Sequence, residues 1–335
     1  MSLECSRRAF LGLGAAFAVP ARASGTGRSA QPTLEAAPPV ALPDTRQIDI
    51  ATGGRTHRIM VAVPPVRPPA RGWPVLYVLD GDLLFALTAQ LMRNRFARGP
   101  DVPAQGAVVV GLGYAGAQVL DLVARTYDYT PPPAPGQPAT DERGRREGGA
   151  DAFLDFVETT VSPLVADAVP VDAEHRTLFG HSYGGLCTLH ALFTRPGTFR
   201  NYVAASPSVW WRDGFILREQ ERFVAGRRAH ARGAHARDGG DAHSADARGA
   251  HAPALRLLVT QGEREARPLD STTDAARAAI VRDRRSSERL RELLEGLRDV
   301  PGLDLRFASF PGADHGSSMA PAAEQALALA IESIR

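Results

Sequence analysis

Short runs of consecutive apolar residues constrain the fold of this chain more than any other feature. Val75–Leu79, Ala107–Leu112 and Leu255–Thr260 lack the alternation of a half-exposed strand, so we expect strands that are buried on both faces. Between such runs, segments such as Phe153–Val161 carry apolar residues at helical spacing. Strands that alternate with helices predict an α/β fold with a mostly parallel sheet and helices on both faces.

The same patterns predict the remaining elements. Gln47–Thr52 and His57–Val63 have strand character, and Gly53-Gly54 between them predicts a hairpin. Further strands are predicted at Arg176–Phe179, Asn201–Ala205 and Leu303–Phe310. Further helices are predicted from the end of the Val75–Leu79 strand to about Phe96, from Leu186 to Phe193, over about Thr273–Arg298 and over Glu324–Ile334. Residues 113–149 form a long connection with a proline cluster, and loops of this length are usually functional or disordered.

The first 23 residues have the pattern of a bacterial export signal. Ser6–Leu11 carries a twin arginine, and the apolar run Leu11–Val19 after it is too short to span a bilayer. Ala21 and Ala23 form a cleavage site that predicts a mature chain starting near Ser24. We therefore expect recognition by the twin-arginine export machinery, a periplasmic or otherwise exported protein, and no membrane insertion after cleavage. The alternative is an ordinary N-terminal tail with two arginines.

Composition divides the rest of the chain into a linker and one large domain. Residues 24–45 are rich in Ala, Pro, Ser and Gly and are predicted to be a linker, and residues 46–335 to be a single domain. A low-complexity tract at about 226–252 is predicted to be a surface insertion. Its four histidines leave a metal-binding tract as an alternative, although their spacing does not bring them together. They are His230, His235, His243 and His251.

Charge and cysteine content exclude several classes of function. All 39 basic residues are arginine, and residues 24–335 contain as many acidic residues as arginines. This balance argues against nucleic acid or an anionic membrane as the main partner. Cys5 lies in the predicted signal, so Cys187 is alone in the mature chain, which excludes an intrachain disulfide and a thiolate zinc site. Cys187 is expected to be a small buried residue rather than a nucleophile.

The sequence Gly180-His181-Ser182-Tyr183-Gly184 has the G-x-S-x-G pattern between a predicted strand and a predicted helix. A sharp turn at this point exposes a serine oxygen above the sheet near a helix N-terminus, and flanking glycines avoid collisions there. Ser182 is therefore predicted to be a nucleophile that forms an acyl-enzyme during ester hydrolysis. The alternative is a glycine-rich turn with an incidental serine.

A serine hydroxyl needs a base, and in this fold the chain order is serine, acid, histidine. His315 follows the last predicted strand and is the predicted base, whereas the side chain of His181 is expected to point away from Ser182. Several acids that follow the strand Leu255–Thr260 can compete to orient the imidazole, and Glu265 is the one we choose. Glu263, Asp270 or no acid at all are alternatives, and Asp314 is expected to point elsewhere.

The oxyanion that forms during ester hydrolysis requires two backbone N–H donors. One is predicted to be Tyr183, directly after the nucleophile. The other is predicted to be Asp82, in the loop after the strand Val75–Leu79, with Gly81 as the alternative. This mechanism implies no metal and no organic cofactor.

Six motifs, spread from the first third of the chain to its C-terminus, resemble the esterase D-like family of α/β hydrolases. Within that family the sequence is most similar to bacterial esterases that open enterobactin- or salmochelin-type siderophore trilactones. The motifs are Tyr77–Gly81, Val110–Tyr114, Arg125–Pro131, Gly180–Gly185, Ala205–Trp211 and Gly312–Gly316. The G-x-S-x-G pattern is shared by many hydrolases, whereas the Arg125–Pro131 and Ser206–Trp211 runs are narrower. The low-complexity tract departs from the family pattern.

The resemblance implies a serine carboxylic esterase in which Ser182, His315 and Glu265 match the catalytic groups of the family. It implies a small-molecule ester as substrate, such as a ferric catecholate siderophore. Arg125 is then expected to bind the anionic catecholate, with an Arg125–Asp128 pair as the alternative, and Trp210 to form an aromatic wall. Acyl transfer, periplasmic thioester hydrolysis and a non-catalytic siderophore-binding protein remain alternatives.

Overall fold

The computed structural model describes residues 34, 37–98, 105–117, 119–238, 255–266 and 274–332. Eight strands form one sheet in the order β1-β2-β4-β3-β5-β6-β7-β8, with antiparallel pairing of β1 to β2 and of β2 to β4 and parallel pairing elsewhere. The strands are β1 (Thr45–Thr52), β2 (Arg55–Ala62), β3 (Trp73–Leu79), β4 (Val108–Tyr114), β5 (Val171–His181), β6 (Asn201–Ala205), β7 (Leu255–Gly262) and β8 (Leu303–Phe310).

Helices cover both faces of this sheet. They are α1 (Gly81–Asn94), α2 (Leu122–Asp128), α3 (Ala150–Phe156), α4 (Ser162–Ala168), α5 (Tyr183–Thr194), α6 (Phe215–Asp238), α7 (Asp274–Leu297) and α8 (Met319–Glu332). One apolar core lies between the sheet and α3, α5, α6 and α7, and a second lies between the sheet and α1 and α8. The predicted α/β architecture, with a mostly parallel sheet and helices on both faces, is confirmed.

Helices α2 and α6 were not among the predicted helices, and the helical pattern predicted at Phe153–Val161 continues into α4. The long connection at 113–149 contains α2, which begins after Asp121, whose carboxylate accepts hydrogen bonds from the N–H groups of Val123 and Ala124. Helix α6 continues to Asp238, so the low-complexity tract starts within a helix rich in Ala and Arg, which favour helical structure. Residues 239–252, the predicted signal at 1–23 and most of the predicted linker lie outside the described residues.

Three strands that end at the same edge of the sheet are each followed by a residue in the left-handed backbone region. The φ angles are 52° at Asp80 after β3, 60° at Ser182 after β5 and 40° at Ser206 after β6. This conformation is unfavourable for residues other than glycine and is retained where the surrounding structure fixes it, often at functional sites.

Within the described residues, no helix is long and apolar enough to cross a membrane.

Candidate active site

Ser182 occupies a sharp turn between β5 and α5. The turn depends on close backbone approach, because a β-carbon at Gly180 would lie 2.3 Å from the backbone of Gly184. The end of β6 holds the turn from both sides, since the Ser182 N–H donates to the Ala205 carbonyl at 2.9 Å and the Ser182 carbonyl accepts from the Ser208 N–H at 3.1 Å. The Ser182 and Ser208 hydroxyl oxygens are 3.3 Å apart. The strained turn therefore presents the serine oxygen in a fixed direction.

His315 and Glu265 meet beyond the ends of β8 and β7. The Nδ1 atom of His315 is 2.8 Å from Oε2 of Glu265. The other carboxylate oxygen accepts hydrogen bonds from the Gly262 N–H and the Ser206 hydroxyl, both at 2.7 Å. Burial opposes ionisation of Glu265, but the hydrogen bonds from His315 and Ser206 outweigh it and hold the pKa of Glu265 below its ordinary value. An ionised Glu265 only accepts, so the proton of this contact lies on Nδ1 of His315.

The other acidic candidates have different partners. Glu263 accepts a hydrogen bond from the Gly312 N–H at 2.9 Å, and Asp314 accepts from Ser317 at 2.8 Å. Asp270 lies outside the described residues. Of the predicted acids that the structure describes, Glu265 is the one that contacts His315.

The side chain of His181 lies against His315. The two ring centroids are 4.5 Å apart, and Nε2 of His181 donates to the His315 carbonyl at 2.8 Å. Burial, assisted by electrostatic interaction with the adjacent His315 ring, lowers the pKa of His181 to about 3, so the His181 ring is neutral. The Ser318 hydroxyl also reaches the His315 carbonyl, at 3.0 Å. His181 therefore supports the loop that carries His315, a role that its position next to Ser182 did not suggest.

The start of α1 supplies the N–H groups of the predicted oxyanion site. The Asp80 N–H donates to the Tyr129 hydroxyl at 2.9 Å, and the N–H groups of Leu83 and Leu84 both donate to the Asp80 carbonyl. In the part of the chain that the structure describes, the N–H groups of Gly81 and Asp82 make no backbone hydrogen bond. These are the two residues that the sequence offered as the second donor. The first predicted donor, Tyr183, begins α5.

Arg125 is buried and paired with Asp80. Its Nε and Nη2 atoms donate to the two Asp80 carboxylate oxygens at 2.8 and 2.9 Å, and Nη2 is 3.5 Å from the His181 carbonyl. The side chain of Arg125 is 9% exposed. Asp128, the alternative partner, instead accepts from Arg55, His57 and Tyr114. Contact of Arg125 with an anionic substrate stays a prediction; in the structure its guanidinium pairs with a buried carboxylate between the ends of β3 and β5.

A cleft of about 670 Å³ lies in front of Ser182. Trp210 lines it and is partly exposed, with its ring centroid 6.0 Å from that of Tyr183. Trp211 is buried and donates through Nε1 to Glu147, as expected for the member of the pair that packs in the core. The cleft also contains two ion pairs, Arg145 with Asp141 and Arg212 with Glu147. Across the described residues no cluster of potential metal ligands occurs.

Sequence reasoning missed several polar residues that support the site. Ser206, Ser208 and Ser318 all lie at the carboxyl edge of the sheet and contact Glu265, Ser182 or the His315 backbone. Ser206 and Ser208 were noted only as part of a resembling motif. Their position directly after a predicted parallel strand was the available signal, because residues there gather at one sheet edge.

The sheet order and the strained serine turn between β5 and α5 define an α/β hydrolase fold. The family model described as "Putative esterase" matches residues 50–300, three quarters of the chain. The chain belongs to this esterase family, as the resemblance in the sequence implied.

Curated relatives and solved structures with siderophore-related names are similar to the chain. The siderophore enterobactin esterase of Emericella nidulans is 34% identical over 259 residues, which cover 74% of this chain and 78% of the relative. The ferri-bacillibactin esterase BesA of Bacillus subtilis is 34% identical over 185 residues, covering 54% of this chain. The chain spans less than two thirds, 64%, of the length of that esterase. The siderophore hydrolase EstB of Aspergillus nidulans has a TM-score of 0.70 at 29% identity, covering 89% of this chain and 98% of that structure.

Proposed function

We propose that this protein is a serine carboxylic ester hydrolase that opens the ester bonds of a catecholate siderophore trilactone. The observation that carries the proposal is the strained Ser182 turn together with the His315–Glu265 pair, whose loop lies against His181, the residue before Ser182. Family membership and the siderophore esterases among the relatives support the reaction and the substrate class. The first hydrolysis of such a macrolactone gives a linear trimer that keeps its iron-binding groups but loses the preorganisation of the ring. Hydrolysis of the remaining esters then separates those groups, and both steps favour iron release.

The first half of the reaction forms an acyl-enzyme. With its Nδ1 proton held by Glu265, His315 has Nε2 left to accept the Ser182 hydroxyl proton. The serine oxygen then attacks the ester carbonyl carbon, and the N–H groups of Tyr183 and Asp82 donate to the oxyanion. Collapse of this intermediate breaks the bond to the alkoxy oxygen. His315 returns the proton to that oxygen, which leaves as the alcohol.

The second half hydrolyses the acyl-enzyme. His315 takes a proton from a water molecule, whose oxygen attacks the acyl carbon. The bond to the Ser182 oxygen breaks, and His315 gives the proton back to Ser182 while the carboxylic acid departs. Each cycle consumes one water molecule for one ester, without a metal or an organic cofactor.

The cleft suggests which groups meet a catecholate. Trp210 offers a partly exposed aromatic face for a catechol ring. Arg143 lines the cleft, is exposed, and its guanidinium has no ion-pair partner within the described ranges. In contrast with the paired Arg125, Arg143 is therefore the arginine that we assign to contact with a charged substrate.

The decisive test of the chemistry is Ser182→Ala assayed with p-nitrophenyl esters. Loss of a triad nucleophile costs on the order of a million-fold in kcat in a well-studied case, so we expect activity near background. Ser309→Ala, the same change at an exposed position on β8, is the matched control and should retain full activity. Undiminished hydrolysis by Ser182→Ala would overturn the assignment.

The substrate is tested by mass spectrometry of products from catecholate trilactones, both iron-free and ferric. We expect a gain of one water per cleaved ester. Transfer of the acyl group to an added alcohol would identify an acyltransferase, and preference for a thioester would identify a thioesterase. Tight siderophore binding without any acyl-enzyme burst would identify a binding protein.

We also propose that residues 1–23 direct export through the twin-arginine machinery to the periplasm, with cleavage near Ser24. The twin arginine, the short apolar run and the small residues at the cleavage site support this. A ferric siderophore imported into that compartment is then the available substrate.

A further inference from the structure

Ser206 follows β6 in a conformation that serine rarely adopts. Its φ angle is 40°, and its N–H donates to the Thr260 carbonyl at 2.7 Å. The residue is buried, with 5% of its surface exposed. A left-handed serine is unfavourable compared with glycine at the same place, so the conformation needs a compensating interaction.

That interaction is with Glu265. The Ser206 hydroxyl oxygen lies 2.7 Å from Oε1 of Glu265 and 3.1 Å from the Ser318 hydroxyl oxygen. Because an ionised carboxylate only accepts, the Ser206 proton points to Glu265. Ser318 offers its single proton to Ser206 or to the His315 carbonyl, which are both within reach. The hydroxyl of Ser206 therefore links Glu265 to the loop that carries His315.

Glu265 has a weak local scaffold. It lies in a single 3₁₀ turn, Glu263–Ala266, and the other hydrogen bond to its Oε1 comes from the Gly262 N–H. A short 3₁₀ turn has poor hydrogen-bond geometry and does not by itself fix a side chain. Ser206 approaches from the neighbouring strand and thereby fixes the carboxylate from outside that turn.

We propose that Ser206 is a positioning residue that holds Glu265 so that Oε2 faces Nδ1 of His315. The left-handed backbone is what aims its hydroxyl at the carboxylate. The inference rests on the proposed function, since it assigns Glu265 as the acid that orients the base. Ser206 itself contacts no reacting atom in this arrangement.

The test compares Ser206→Ala with Ser206→Gly on a small neutral ester. Both remove the hydroxyl, but only glycine relieves the backbone strain. We expect kcat to fall at least tenfold in both variants with KM nearly unchanged, while the Tm of Ser206→Gly exceeds that of Ser206→Ala. A purely structural role would make activity follow stability, so that the glycine variant recovered activity along with Tm. That result would overturn the proposal.

A double-mutant cycle shows whether Ser206 acts through Glu265. In the Glu265→Ala background, Ser206→Ala should cause no further loss of kcat, because the group that it positions is gone. Additive losses would contradict the proposal. Thr260→Val is the matched control: it removes a buried hydroxyl on the neighbouring strand that makes no hydrogen bond within the described residues, and it should leave kcat unchanged.

Failure of the positioning role of Ser206 can be told apart from failure of the proposed esterase function. If Ser182→Ala retained activity, the esterase assignment would fail. If Ser182→Ala and Glu265→Ala were inactive or impaired but Ser206→Ala had full kcat, only the positioning role would be overturned.

Discussion

At the residue scale, Arg125 and Arg143 line the same cleft but stand in opposite environments. Arg125→Ala would leave the buried Asp80 carboxylate without its partner, which costs about 3–5 kcal/mol of stability in comparable pairs. Since Asp80 precedes the predicted oxyanion donors, we expect kcat/KM to fall by the same factor for charged and neutral esters. Parallel assays of a ferric catecholate and a small neutral ester, with urea unfolding, measure both effects. A loss confined to the charged ester would show that Arg125 contacts substrate.

The matched residue-scale prediction concerns Arg143→Ala. Removal of an exposed guanidinium should leave stability and neutral-ester hydrolysis unchanged. Its KM for an anionic ferric catecholate should rise by about two- to tenfold, because a charge-assisted contact with the substrate is lost. Steady-state kinetics at low and high salt check this, since the difference should shrink as salt screens the charge. Equal KM values for wild type and variant would contradict the assignment.

At the scale of elements, His190 joins three helices behind the nucleophile. It lies on α5, is 2% exposed, and places Nδ1 2.8 Å from Glu219 on α6 and Nε2 3.2 Å from Asp151 on α3. Burial opposes its protonation, but the hydrogen bonds to Asp151 and Glu219 outweigh burial and raise the pKa of His190 to about 9. The imidazolium of His190 therefore links α5, the helix that follows Ser182, to its neighbours α3 and α6.

This contact predicts a pH-dependent stability. Because the pKa of His190 is raised in the folded state, protonation of His190 stabilises the fold. This stabilisation is complete below the ordinary pKa near 6.5 and is lost as pH rises through about 9. The expected contribution is roughly 3 kcal/mol. Urea unfolding from pH 6 to 9.5 should show this decline for the wild type and a flatter profile for His190→Gln. His230→Gln, an exposed substitution on α6, should keep the wild-type profile, and an unchanged slope in His190→Gln would contradict the prediction.

At the scale of the whole molecule, the sequence contains no lysine, so removal of the predicted signal can be measured by labelling amino groups. An amine-reactive label can react only with the α-amino group at the start of the chain. In material from the periplasm, we expect the labelled peptide to begin near Ser24. Replacement of both Arg7 and Arg8 by Ala should leave the protein unprocessed in the cytoplasm, whereas Arg22→Ala should be processed normally. A labelled peptide from residues 1–23 in exported protein would refute cleavage.

The sequence by itself determined the elements whose signals are local. All eight strands of the described residues were predicted. Strands β3, β4, β6 and β7 are short apolar runs because they are buried on both faces, and β1 and β2 were recognised from the Gly53-Gly54 turn between them. The Ser182 turn was predicted because its glycines lie beside the serine in the chain. Helix α2 was missed because its pattern is inverted: Arg125 and Asp128 are buried, whereas Leu122 and Val123 are exposed.

Only the tertiary structure decided the partners of the polar residues. The Arg125–Asp80, His315–Glu265 and Ser206–Glu265 contacts join residues 45, 50 and 59 positions apart. Local sequence placed these residues after particular strands, but several acids were available for each base. The choice among them depends on strand order and on side-chain direction at the sheet edge. Those are fixed by packing of the whole domain, because a buried charge is stable only where the fold brings an opposite charge or a hydrogen bond to it.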